Sequence, residues 1–95
     1  MCVTISKQLM YWLIASSKGG LNRAKIITAL KEKPMNMHQL AEKMGVHYTT
    51  IQHHVELLVK HGFVVGTGGE YGKAYFLSQD LEDAYHEFKK IANQE

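Results

Sequence analysis

Near the middle of the chain, Tyr48, Thr49, Gln52 and His53 lie close together, with Glu56 one turn further on. Between them stand Ile51, Val55 and Leu58. Wound as a helix, the three aliphatic residues share one face and the polar group takes the other. The polar set is chemically versatile. A glutamine amide both donates and accepts, a threonine hydroxyl does the same, and an imidazole N–H donates. These are the groups that match the exposed edges of bases: glutamine pairs bidentately with adenine, threonine contacts several edges, and histidine donates to guanine acceptors. Gln52, His53, Thr49 and Tyr48 are therefore the candidate base-contacting residues. The plainer reading is a solvated polar face. Thr50 lies near the packed side and reads as structural. His54 falls among apolar positions and reads as a hydrogen-bonded, half-buried histidine.

Other chemistry finds little support. Ser/His/Asp and Cys/His arrangements are not apparent, so no enzyme and no cofactor are expected. The one cysteine, Cys2, allows no intramolecular disulfide and no thiolate metal cluster, and fits a reducing cytoplasm. Gly66-Thr67-Gly68-Gly69 is glycine-rich. A strand pattern follows it rather than a helix, so a turn is favoured over a phosphate loop. The longest apolar run, Met10 to Ala15, is far short of a membrane span.

Ninety-five residues with 45% hydrophobic and 21% charged content is the composition of one small globular domain, 1–95. The net charge of +2 decides nothing by itself. It conceals an asymmetry: residues 1–48 hold seven basic and two acidic side chains, net +5, and residues 49–95 hold four and seven, net −3. Phosphate contacts position a protein without reading sequence. The candidates are Lys18, Arg23, Lys25, His38, Lys43, His47, Lys60 and Lys73, each of which alone reads as an ordinary solvated group.

The elements that must position these residues are well punctuated. Ile5, Leu9, Trp12 and Leu13 recur at helical spacing, and Gly19-Gly20 ends that segment. Asn22 reads as the N-cap of a second helix, with Ile26, Ile27 and Leu30 inward and Pro34 as its stop. Asn36 and Gln39 have capping-box spacing, with Met35 and Leu40 as a staple. Leu40, Ala41 and Met44 then make an apolar stripe before Gly45. A helix follows over 47–61. Phe63 to Val65 and Lys73 to Leu77 read as two strands around a glycine-rich loop. A last helix over 80–93 carries Leu81, Ala84, Tyr85, Phe88, Ile91 and Ala92 on one side.

Ala41, Gly45 and Ile51 supply the small residue, the turn and the interhelical contact that a helix-turn-helix requires. The fold class is thus mainly α with a small β-hairpin. It is a winged helix-turn-helix, motif 36–61 and wing 63–77, on a three-helix core with N- and C-terminal dimerisation helices. Gln39-Leu40-Ala41-Glu42, the run from Thr49 to Leu58, and His61-Gly62-Phe63-Val64 resemble ArsR-type transcription regulators. Gly19-Gly20, Asn22-Arg23-Ala24 and the tyrosine-rich wing resemble small archaeal members of that group. The resemblance covers about residues 10–77. It implies a dimeric, sequence-specific binder of double-stranded DNA with helix 47–61 in the major groove.

Metal sensing, common in that family, is poorly supported. The resemblance would place a cysteine pair in the first motif helix, and that segment has none. Asp83 and His86 are one turn apart, but a second histidine is missing. No metal and no small-molecule effector are expected. The serious rival is a winged helix used only for protein contact. A homodimer is expected because the first segment is apolar nearly all round. Met10, Tyr11 and Ile14, with Tyr85, Phe88 and Ile91, are the candidate interface.

Overall fold

Ser6 opens the first helix: its hydroxyl accepts the Leu9 N–H at 2.9 Å. The computed structural model describes residues 6–16, 19–67 and 73–92. Helix α1 (Lys7–Tyr11) passes directly into one π-helical turn, Trp12–Ser16. The wider i→i+5 winding of that turn changes the helical phase. Met10, Leu13 and Ile14 are buried, an i, i+3, i+4 face, while Tyr11 and Trp12 remain 49% exposed. This corrects the expected inward face in two respects. Trp12 is outside, and Met10 and Ile14 belong to the protomer's own core rather than to a surface left for a partner. Ile5 lies outside the described residues.

Helix α2 (Gly20–Glu32) starts two residues before the expected cap at Asn22. Gly19, at φ 85°, makes the turn into it. Gly20 lies against the π turn so closely that a Cβ there would collide with the Ile14 carbonyl. That contact needs glycine, and it moves the helix start. Ile26, Ile27 and Leu30 are buried as expected. Lys33 is extended and Pro34 follows, so the helix stops.

Helix α3 (Met37–Met44) has the expected capping box. The Asn36 side chain accepts the Gln39 N–H at 2.7 Å, and the Gln39 side chain accepts the Asn36 N–H at 2.9 Å. Gly45, at φ 69°, turns the chain toward α4 (Tyr48–Lys60). His47 and His61 occupy the two cap positions of α4, which accounts for the expected span of 47–61. Ile51, Val55 and Leu58 are inaccessible, and α3 and α4 pack as a helix-turn-helix. Gly62 closes α4 at φ 79°. The Phe63 N–H returns to the Leu58 carbonyl at 2.9 Å and the Gly62 N–H to Val59 at 3.0 Å, the paired bonds of a Schellman ending.

Strands β1 (Val64–Thr67) and β2 (Ala74–Leu77) form an antiparallel hairpin, Val64 opposite Leu77 and Thr67 opposite Ala74. Met35 adds a one-residue bridge to Tyr75, with N–O distances of 3.2 and 2.8 Å. Ser78 then knits the hairpin to the helices. Its hydroxyl donates to the Gly62 carbonyl at 2.7 Å and accepts the Leu81 N–H at 3.1 Å. The expected helix 80–93 is two helices, α5 (Gln79–Asp83) and α6 (Tyr85–Ala92), broken at Ala84. Ala84 leaves helical geometry at ψ 11°. The apolar face survives the break: Leu81, Phe88 and Ile91 are buried and the others half-buried. Phe88 and Ile91 are therefore core residues, a second correction to the expected interface. No described helix is long and apolar enough to cross a membrane.

Candidate nucleic-acid interface

The buried stripe of α4 fixes which of its side chains face outward. Ile51, Val55 and Leu58 each contribute about 1.5–3 kcal/mol by leaving water, so rotation of the helix about its axis is strongly resisted. Tyr48, Thr49 and His53 are consequently exposed and Gln52 is half-buried, all in the first two turns. The four candidate readers come together on one patch. His38, exposed on α3, joins them: its ring centroid lies 4.5 Å from that of Tyr48.

Two further residues border the patch: Glu56, which its spacing already places on the outward face, and Tyr75, which sequence does not single out. Gln52 Nε2 donates to Glu56 Oε2 at 3.2 Å. Tyr75 on β2 is the other. Burial, followed by Tyr48 and Glu56, holds its phenol above the usual tyrosine range. The i, i+4 spacing of Gln52 and Glu56 was a readable signal for the first. The Met35 bridge fixes Tyr75 in place, and sequence spacing does not reveal that bridge.

The basic candidates divide into separate groups. Lys25 and Lys43 line one groove between α2 and α3, floored by Ala24, Ala29 and Met44. His47 is exposed at the start of α4 and its side chain makes no capping bond. Lys60 is exposed at the far end of that helix, ~18 Å from Tyr48 at 1.5 Å per residue. Lys73 is exposed just before β2, and Lys18 lies outside the described residues.

Arg23 is a correction. It is 3% exposed, so its guanidinium does not reach solvent phosphate. Its Nε donates to the Leu13 carbonyl at 2.8 Å, inside the π turn. Its Nη1 lies 3.3 Å from Nδ1 of His54. An arginine only donates, so Nδ1 is the unprotonated nitrogen and accepts. Burial, then the charges of Arg23 and His53, holds the His54 pKa below its ordinary value. His54 is 7% exposed, the hydrogen-bonded histidine expected from its apolar neighbours. Sequence gave no sign that Arg23 would be its partner, because the two are remote along the chain.

Of the six candidate interface residues, Tyr11 is exposed and Tyr85 half-buried, while Met10, Ile14, Phe88 and Ile91 are buried within the protomer. A shallow apolar groove between α1 and α6 persists, lined by Lys7, Gln8, Tyr11, Glu87, Lys90 and Ile91. Among the described residues, no cluster of three or more His, Cys, Asp or Glu side chains is arranged to hold a metal.

Known proteins agree with this architecture. HlyU from Vibrio cholerae superposes with a TM-score of 0.68 at 16% identity, covering 94% of this chain and 94% of that one. The homodimeric winged helix-turn-helix DNA-binding domain of Mb0332 from Mycobacterium bovis, a possible ArsR-family transcriptional regulator, gives 0.68 at 16% identity over 90% of this chain and 74% of that one. ST1889 from the archaeon Sulfolobus tokodaii gives 0.59 at 20% identity, over 92% and 84%. Identities this low establish the fold. Curated protein sequences give no match. A family model for the N-terminal domain of the methanogenesis regulatory protein FilR1 matches residues 14–74, more than half of the chain. With its helix-turn-helix, its wing and that match, the chain belongs to the FilR1 N-terminal-domain family of winged-helix regulators.

Proposed function

We propose that the protein is a sequence-specific, double-stranded DNA-binding transcription regulator that acts as a homodimer, with helix 47–61 in the major groove. The observation that carries this reading is the exposed patch of Tyr48, Thr49, Gln52 and His53. It stands on the N-terminal half of a helix whose opposite side is locked into the core. Lys25, Lys43, His38, His47, Lys60 and Lys73 remain the phosphate candidates. Arg23 is withdrawn from that role. The homodimeric state described for the Mb0332 domain supports pairing of two protomers. Tyr11 and the α1–α6 groove supply the surface on this chain.

Selection of bound duplexes from a random library at near-physiological salt tests the reading. Enrichment of a palindrome with half-sites about one DNA turn apart is the expected result. Affinity should fall steeply with salt, and Gln52→Ala and His53→Ala should each alter the selected sequence. A chain that enriches no sequence overturns the proposal: duplex binding without preference makes it a non-specific DNA binder, and no duplex binding favours the protein-contact module. Sedimentation equilibrium at micromolar concentration decides the dimer, because a monomeric mass contradicts it.

A further inference from the structure

We infer that Glu56 is a specificity-determining residue: it holds the amide of Gln52 in the one orientation that selects adenine over guanine. This rests on the proposed reading of α4 as the recognition helix. Gln52 Nε2 donates to Glu56 Oε2 at 3.2 Å, four residues along the same helix face. A carboxylate only accepts, so the amide turned the other way would set Oε1 against a negative oxygen with no proton between them. The amide is held with its nitrogen toward Glu56.

The consequence is a count of donors. An amide nitrogen carries two N–H groups. A free glutamine can turn both toward a base and serve the two acceptors of guanine, N7 and O6, or it can turn one N–H and its oxygen toward adenine. With one N–H given to Glu56, one donor and one acceptor remain. That pair matches the N7 acceptor and N6 amino donor of adenine and leaves guanine O6 facing an oxygen. Glu56 is a positioning residue here, acting through Gln52 and touching no base itself.

Relative affinities for duplexes carrying A or G at the position read by Gln52 test this, measured for the intact chain and three variants. The intact chain should prefer A by about tenfold, the scale of one well-formed bidentate contact. Glu56→Ala should reduce that ratio to about two or less. Removing a negative charge will also tighten binding to every sequence, which leaves the A/G ratio unaffected. Glu56→Gln retains an acceptor oxygen and should restore the preference. If Glu56→Ala keeps the full ratio while Gln52→Ala abolishes it, Gln52 reads the base unaided and the inference is overturned. If Glu56→Ala and Glu56→Gln instead change preference at a neighbouring base pair, Glu56 reads a base directly and the inference is again overturned. If Gln52→Ala leaves the A/G ratio unchanged, the assignment of Gln52 as a reader fails, and the inference falls with it.

Discussion

Replacing Arg23 with methionine keeps an unbranched stem and removes the guanidinium. The bond from Nε to the Leu13 carbonyl is 2.8 Å long, buried and charge-assisted. Such a bond contributes about 1.5–3 kcal/mol net. The contact from Nη1 to His54 Nδ1, at 3.3 Å, is longer and adds about 0.5–1 kcal/mol. The variant no longer desolvates a cation, which offsets part of the loss. A net destabilisation of about 2–3 kcal/mol follows. For a domain of this size it lowers the melting midpoint by about 10–20 °C. Thermal unfolding followed by circular dichroism, at fixed protein concentration and pH 7.5, measures it directly. Concentration must be fixed because association shifts apparent stability. A midpoint within ~2 °C of the parent would refute the view that Arg23 joins α2 to the π turn and to α4. Greater stability in the variant would do the same, showing that desolvation outweighs the bonds that the guanidinium makes.

Three other outcomes are expected. His54 is held below its ordinary pKa by burial first and then by Arg23 and His53. The unfolded chain therefore binds more protons once pH falls to about 6.5. The stabilisation is complete above that pH and is lost toward acid as the depressed folded value is approached. His54→Gln, which keeps an acceptor, should lose less stability between pH 8 and pH 5, and parallel pH profiles would contradict this. Asn36→Ala removes the α3 cap and should cost about 1 kcal/mol in the same unfolding assay. Gly45→Ala meets no atom within 4 Å, so its cost is that of a left-handed alanine alone, about 1–2 kcal/mol. Gly20→Ala runs into the Ile14 carbonyl and should cost clearly more, so equal midpoints for the two glycine variants would count against the close crossing of α2 and the π turn.

What was legible in the sequence is what local chemistry specifies. Asn36 with Gln39 fixed the start of α3, Gly45 and Gly62 its turn and the end of α4, and the Ile51, Val55, Leu58 spacing the outward face of α4. The candidate readers followed from that face alone. The first segment is ambiguous because it is apolar nearly all round: Leu9, Trp12, Leu13 and Met10, Leu13, Ile14 are both i, i+3, i+4 sets, and a 3.6 period does not choose between them. Spacing alone therefore does not show that Met10 and Ile14 face the core. Phe88 and Ile91 were placed on the right face of α6, but that face packs on this chain's own core. Arg23 was misassigned for a related reason. A basic residue beside a glycine turn resembles a solvated one, and only tertiary packing brings Leu13 and His54 to it.

The bridge between Met35 and Tyr75 has a kinetic meaning. It closes a loop of about forty residues, far longer than any contact inside the helix-turn-helix. Lys33, the next residue in ladder register, gives its N–H to the Ala29 carbonyl at 3.3 Å, and α3 begins at Met37, so the bridge stays one residue pair long. The bridge thus adds one residue pair at the base of α3 to the packing of Val64 and Leu77 on the core. In hydrogen exchange, the amides of Met35 and Tyr75 should lose protection together, whereas the amides inside α4 open with the core.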